Sequence, residues 1–290
     1  MAVPKVSVLT PVYNTQEEHL RACIESILNQ TYTDFEFIIL NDASTNSNVE
    51  AIVKSYQDSR IVYAVNDTNL GISPTRNKLI QMAKGEYLAV FDHDDISMPD
   101  RLAEEVAYLD SHPEVGCVSG QAEVFGGKKG SGVWSVPEQN EAIQRKLLTA
   151  SCVIHPACML RKSVLEKYGI QYEEAYSPAE DYALFCRLVG KTQFYNFQKS
   201  LIRYRNHEGN TTHRRLELMQ LRTRAITSFV QRDNQELWDL VRFDCFRKKR
   251  FRLFGCIPIL KIEEYPDKAV YYLFSKIPLW SITTESWRDE

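Results

Sequence analysis

Tyr87-Leu88-Ala89-Val90-Phe91-Asp92-His93-Asp94-Asp95 runs from an apolar stretch straight into a cluster of acids. The apolar run reads as a buried β-strand over Glu86 to Phe91, and three carboxylates crowd its C-terminal end. At a separation of about 4 Å and an effective dielectric of about 20, each like-charged pair costs roughly 4 kcal/mol, so the cluster needs a proton, a basic partner or a cation. A divalent ion answers this most simply, because a hard cation held by two carboxylates also grips phosphate oxygens when a diphosphate binds or leaves. The structural alternative is that the acids end the strand and cap a helix that opens near Pro99-Asp100-Arg101, as Asp and Pro commonly do.

Upstream, apolar strands alternate with helical patterns. Lys5 to Thr10 reads as a buried strand closed by Pro11 and Asn14, and Leu20, Cys23, Ile24, Ile27 and Leu28 recur at helical spacing within a helix over Glu17 to Gln30. A strand follows from Phe35 to Leu40, ending at Asn41-Asp42, then a helix near Val49 to Tyr56, a strand at Arg60 to Ala64 and a helix from Ser73 to Ala83. Such alternation predicts an α/β fold with a mostly parallel sheet whose ligands gather at the carboxyl ends of the strands, where Asp42 and Asp92 both stand. Downstream, Arg101 to Leu109 reads as an amphipathic helix, Val115 to Glu123 as a strand, Gly126-Gly127-Lys128-Lys129-Gly130 as a hairpin turn and Leu201 to Arg205 as a further strand.

The chain has 290 residues, 44% of them hydrophobic, enough for one large α/β domain with an appendage or for two small domains. Its formal net charge of -3 hides a basic segment, 203–252, with thirteen Lys or Arg against six Asp or Glu. Seven cysteines without a CxxC spacing indicate neither a disulfide framework nor a zinc site, so a reducing cytoplasm is expected. No signal-peptide pattern opens the chain and no run of about eighteen apolar residues would span a bilayer. The first strand leads into Thr10-Pro11-Val12-Tyr13-Asn14, which lacks glycine. That excludes the dinucleotide GxGxxG turn and the phosphate-cradling GxxxxGK loop, and a sugar nucleotidyltransferase would also be expected to carry a glycine-rich loop there.

Taken together, Ser7 to Asn14 (SVLTPVYN), Asn41 to Ser44 (NDAS), Asn69 to Asn77 (NLGISPTRN), Asp92 to Asp95 (DHDD), Ala179 to Asp181 (AED) and Tyr204 to Thr212 (YRNHEGNTT) resemble family 2 glycosyltransferases of the GT-A fold, in that order along the chain. The family usually shows DDGS where this chain has NDAS, which removes one carboxylate near the nucleoside. The resemblance spans roughly Lys5 to Thr212 and implies a catalytic domain over 1–212, with a nucleotide-sugar half at 1–112 and an acceptor half at 113–212. A C-terminal helical and extended appendage would occupy 213–290.

The resemblance also implies roles. The nucleotide site would comprise Thr10, Pro11, Tyr13, Asp42, Arg76, Asp92 and His93. Thr10 and Asp42 would meet the base, Arg76 the ribose or phosphates, and Asp92 the ribose or the metal; His93 points to the opposite side if the stretch stays extended. Asp94 would bind the metal, joined by His207, a donor pair suited to manganese, with magnesium as the other option. Asp181 would be the general base of an inverting single displacement. Asp95, Glu180 and His155 would face the acceptor or support these groups. Bland readings stand beside several of these roles: Asp42 as a turn cap, Arg76 as an exposed helix arginine, Glu180-Asp181 as an acidic first turn favoured by the helix dipole, and His155 and His207 as structural histidines.

The expected activity is transfer of a sugar from a nucleotide diphosphate, a uridine diphosphate by preference, to a hydroxyl of a glycan or lipid-linked glycan in bacterial lipopolysaccharide, capsule or exopolysaccharide assembly. The alternative is a non-catalytic glycan-binding or scaffold protein that keeps the fold. No nucleic-acid partner is expected. Finally, Phe251 to Ile262 recurs twenty residues later as Tyr271 to Ile282: Leu253, Phe254, Ile257, Pro258 and Ile262 return as Leu273, Phe274, Ile277, Pro278 and Ile282. Each copy is too short to cross a bilayer and its proline breaks a helix, so the copies are expected to be extended. With Arg247-Lys248-Lys249-Arg250 just before them, they are expected to dock at the inner membrane face, or else to pack on the catalytic domain or a second subunit.

Overall fold

The computed structural model describes residues 3–45, 48–127, 132–207, 210, 215–242, 247–253, 257–264, 268–273 and 277–283. The central part of the expected glycine turn, Lys128 to Gly130, and Glu208, Gly209, Thr211 and Thr212 lie outside those residues. The chain divides into two compact units, 1–230 and 231–290.

The first unit opens with β1 (Val6–Val12), α1 (Glu17–Leu28), β2 (Phe35–Asn41), α2 (Asn48–Lys54), β3 (Ile61–Val65), α3 (Ile72–Met82) and β4 (Tyr87–Val90). These strands pair in parallel, β3 with β2, β2 with β1 and β1 with β4. β1 and β2 are buried along their whole length, and most of their residues are apolar; of the polar ones they bury, Ser7 donates to Glu36 Oε1 at 2.6 Å. α1 lays Leu20, Cys23, Ile24 and Ile27 against them, none of the four exposed.

After β4 the chain turns at His93-Asp94 and forms β5 (Ile96–Ser97), α4 (Arg101–Ser111), β6 (Val115–Phe125), β7 (Gly132–Trp134), α5 (Asn140–Leu147), β8 (Met159–Arg161), α6 (Lys162–Tyr168), α7 (Glu180–Leu188), β9 (Gln193–Arg205) and α8 (Leu216–Asp233). β8 runs antiparallel between β4 and β6, β9 runs parallel to β6, and β5 closes the far edge antiparallel to β9. β7 pairs antiparallel with β6, as flanks of a hairpin would. The order is β3-β2-β1-β4-β8-β6-β9-β5, a curled, mostly parallel sheet with flanking helices.

This topology places the site. β4 and β5 are separated by five residues in sequence but stand four places apart in the sheet. The acidic loop between them therefore bridges the end of the parallel half and the end of β9. Ile96 pairs with Arg203, which brings Arg205 and His207 beside Asp94 and Asp95.

The second unit holds α9 (Gln235–Arg242) and an antiparallel sheet of four strands in chain order, β10 (Arg247–Leu253), β11 (Ile257–Glu264), β12 (Lys268–Leu273) and β13 (Ile277–Thr283). The described parts of the repeated tail segments are thus strands. The boundary at 230 leaves most of α8 with the first unit, where Ile226, Phe229 and Val230 are buried and Phe229 packs on Tyr176 and Arg187.

Candidate active site

At the carboxyl ends of β1 and β2 the candidate nucleotide residues are held by the scaffold. Thr10 is fully buried and its hydroxyl donates to the Phe91 carbonyl at 3.0 Å, tying β1 to the acidic loop. Pro11 is buried in β1, while Tyr13 is exposed at its tip. Asn41 donates from Nδ2 to the Tyr63 hydroxyl at 3.0 Å and accepts the Ser44 N–H at 2.9 Å, using both ends of an amide where a carboxylate could only accept. Asp42 accepts from Asn66 Nδ2 at 2.7 Å and from the backbone N–H groups of Leu70 and Gly71 at 2.9 Å each. Its carboxylate fixes the loop that feeds α3, and with about four acceptor positions it keeps roughly one for a ligand.

The acidic loop carries the densest charge. Arg76, in the first turns of α3, is almost completely buried, so it is not an exposed helix arginine. Its Nη2 donates to Asp92 Oδ1 at 3.2 Å and its Nη1 to Glu180 Oε1 at 2.7 Å, so one guanidinium joins the end of β4 to the start of α7. Burial raises the Asp92 carboxyl above its ordinary range, Arg76 opposes that shift, and Asp94 adds to it. Asp94 Oδ2 lies 2.8 Å from His207 Nε2, and the Asp94 carbonyl accepts from Arg205 Nε at 2.8 Å. Asp95 is buried; Oδ1 accepts the Arg205 backbone N–H at 2.8 Å and Oδ2 has no partner among the described residues. Burial, reinforced by Asp94 and Asp92, holds its carboxyl well above the usual value. Because residues 93 and 94 form a turn, His93 does not follow the alternation of an extended strand; its Nδ1 is buried without a partner among the described residues.

On the opposite wall, Asp181 stands in the first turn of α7 and accepts the Tyr182 N–H at 2.7 Å. Burial and then the adjacent Glu180 push its carboxyl up to about 6, against the pull of Arg76. Buried Glu180 keeps Oε2 without a partner among the described residues. His155 is buried 2.8 Å from the Tyr172 hydroxyl, and burial with Arg76 and Arg101 nearby holds it well below its usual pKa, hence neutral. Tyr172 in turn places its ring 5.5 Å from the Arg76 guanidinium. His155 therefore supports Arg76 from behind.

Asp92, Asp94, Asp95, Glu180, Asp181, Arg76 and His207 thus belong to one neighbourhood, with His155 one layer deeper. Three contributors carried no sequence assignment. Arg205 cements the acidic loop, Tyr172 lies against Arg76, and His19 of α1 faces His207 with ring centroids 5.5 Å apart. Arg205 falls within the Tyr204 to Thr212 motif, a signal that could have found it; Tyr172 and His19 carry none.

Comparison with known proteins places the chain in a family. The family model described as glycosyl transferase family 2 matches residues 7–169. An uncharacterised glycosyltransferase of Methanocaldococcus jannaschii is 33% identical over 211 residues, 71% of this chain and 72% of that protein. A putative colanic acid biosynthesis glycosyl transferase of Escherichia coli, WcaA, is 39% identical over 106 residues, 36% of this chain and 38% of its own. Among solved structures, S. aureus TarS with UDP-GlcNAc superposes with a TM-score of 0.62 at 22% identity, covering 75% of this chain but only 65% of that one, which is a likeness of fold. On the family match and the identity over most of its length, the chain belongs to glycosyl transferase family 2.

Proposed function

We propose that the chain transfers a sugar, with inversion, from a nucleotide-diphosphate donor to a hydroxyl of a glycan acceptor in bacterial surface-polysaccharide synthesis, and that the donor is a uridine diphosphate sugar. One observation carries this reading: Arg76 joins Asp92, at the expected donor end of β4, to Glu180, the immediate neighbour of Asp181. A base and a donor-binding carboxylate are thereby held in one rigid frame. The UDP-GlcNAc carried by the similar TarS structure supports the choice of nucleotide, and the colanic acid role named for the E. coli relative supports the setting.

In this mechanism Asp181 accepts the proton of the acceptor hydroxyl as its oxygen forms a bond to the anomeric carbon. The bond from that carbon to the diphosphate breaks at the same time and the diphosphate leaves with the electron pair. Attack from the face opposite the leaving group inverts the centre. Arg76 holds Glu180 and Asp92 in place through its two Nη donors, and Asp42 would offer its remaining acceptor position to the N3–H of uracil.

The donor set also fits a divalent cation. Asp94 Oδ2 and His207 Nε2 converge to 2.8 Å, and this carboxylate–imidazole pair would hold the ion. Among the described residues no group of three His, Cys, Asp or Glu could hold the ion by itself. When bound, manganese or magnesium would stabilise the negative charge of the departing diphosphate.

Incubating the protein with manganese, a panel of nucleotide sugars and glycan acceptors, and measuring nucleotide release, tests the activity. Acceptor-dependent release of UDP is expected, with an anomeric configuration in the product opposite to that of the donor. Release from no donor in the panel would overturn the activity, and retained configuration would overturn the single displacement.

A further inference from the structure

The sequence repeat of the tail is also a repeat of strand pairing. In the first hairpin Phe251 pairs with Leu260, Arg252 with Pro258 and Leu253 with Ile257, with a register shift between Phe251 and Arg252. In the second, Tyr271 pairs with Trp280, Tyr272 with Pro278 and Leu273 with Ile277, with the shift between Tyr271 and Tyr272. Every pair moves by twenty residues, as does the irregularity. β10 is therefore equivalent to β12, and β11 to β13.

The two hairpins join through β11 and β12, with Leu260 opposite Leu273, Lys261 opposite Tyr272 and Ile262 opposite Tyr271. Among the described residues β10 and β13 end the sheet. The strand that would follow β13 in a third repeat is a β12-like strand, and the strand that would precede β10 is a β11-like one. The chain carries both at its own edges. From this equivalence we propose that β13 of one copy of the chain pairs antiparallel with β10 of a second copy, head to tail, repeating the β11–β12 junction between molecules.

The twenty-residue shift fixes the register: Trp280 opposite Leu253 of the other copy, Ser281 opposite its Arg252, Ile282 opposite its Phe251 and Thr283 opposite its Arg250. Charge selects this pairing over the symmetric use of β10. Two β10 strands would oppose Arg247, Lys248, Lys249, Arg250 and Arg252 to one another, and like charges across a ladder destabilise it. β13, Ile277-Pro278-Leu279-Trp280-Ser281-Ile282-Thr283, carries no charge and accepts the basic strand. Because donor and acceptor edges differ, the contact is heterologous and can continue beyond two chains.

Sedimentation of the full chain between about 1 and 100 µM tests the inference. The expected result is a mass that rises with concentration past one chain. Ser281 faces uncharged Val270 within its own hairpin, so substitution there spares the hairpin. Ser281→Lys should weaken association and Ser281→Glu strengthen it, each by about 2- to 5-fold, the usual worth of one cross-strand charge pair. Arg252→Glu combined with Ser281→Lys should restore association, because the exchanged charges meet only in the β13–β10 register. A constant single-chain mass to 100 µM overturns the proposal. So does a failure of the exchanged pair to rescue, which would mark pairing through β13 alone, or association seen only with anionic vesicles, which would mark a membrane-docking tail.

Discussion

Asp181 sits between two opposing influences, and its chemistry follows from their balance. Burial and Glu180 raise its carboxyl to about 6 while Arg76 pulls it down, which leaves it ionised at neutral pH and still basic enough to take a proton. A base works deprotonated, so turnover should be full above that value and fall as pH drops through about 6; a pH–rate profile with no acid limb between pH 5 and 7 would remove Asp181 from the role. Asp181→Asn should lower turnover by roughly 10²- to 10⁴-fold while donor affinity, measured by calorimetry, stays near wild type. Asp94→Ala should instead remove the dependence of donor binding on manganese, since it deletes one of the two converging donors; unchanged manganese-supported binding would refute the assignment. Ala43 offers a different test. It adopts φ 53°, a left-handed conformation that costs a residue with a Cβ about 1–2 kcal/mol, and it occupies the position where the family usually has glycine. Ala43→Gly should raise the melting temperature, the relief of strain exceeding the glycine's added chain entropy by up to about 1 kcal/mol. At this scale the carboxylates were legible because like charges in a short stretch demand compensation, whatever the fold. Arg205 and Tyr172 were not, since neither residue type announces its partner: Arg205 meets the Asp94 carbonyl 111 positions away, and Tyr172 stacks under Arg76 96 positions away.

The elements divide along the same line. The parallel half was readable almost strand by strand, because a strand buried on both faces is mostly apolar, any polar residue in it being hydrogen-bonded, and its helices show one apolar stripe. β5 and β8 escaped, being two and three residues long and defined by pairing to β9, β4 and β6 rather than by any pattern of their own. β9 begins eight residues before the strand expected from Leu201, since its first half alternates around polar residues such as Asn196 and Gln198. α4 extends the expected helix by two residues and buries a charged pair: Arg101 Nε donates to Glu105 Oε2 at 3.1 Å with neither side chain exposed. Arg101 also donates from Nη2 to the carbonyls of Val90 and Cys158, clamping the end of β4 to the segment before β8, directly under the acidic loop. Burial pushes the Glu105 carboxyl up to about 7 despite Arg101. Arg101→Met would leave that acid without its partner and remove a donor from the Val90 and Cys158 carbonyls, the latter still accepting the Val90 N–H at 2.9 Å, so unfolding in denaturant should show a loss of about 3–5 kcal/mol, and Arg101→Met with Glu105→Leu should recover much of it. An unchanged midpoint in the single variant would show that the clamp does not hold the loop.

At the scale of the whole molecule, every candidate catalytic, metal and nucleotide residue lies in the first unit, 1–230, which carries its own sheet and core. The basic excess of 203–252 straddles the boundary between the units, so the charge asymmetry seen in composition does not mark a domain. The repeat's twenty-residue period maps onto hairpins of the second unit, whereas the unit boundary at 230, inside α8, interrupts no helical pattern. Cutting after Val230 removes no described side chain of the site and retains Ile226, Phe229 and Val230, which bury the end of α8. A chain of residues 1–230 should therefore fold cooperatively and release nucleotide from the same donor with a KM within about 3-fold of the full chain, since uniform donor binding resides in contacts that the cut leaves intact. Loss of acceptor transfer with donor hydrolysis preserved would assign the second unit to the acceptor; loss of both in a folded fragment would show that the site is completed by residues beyond 230.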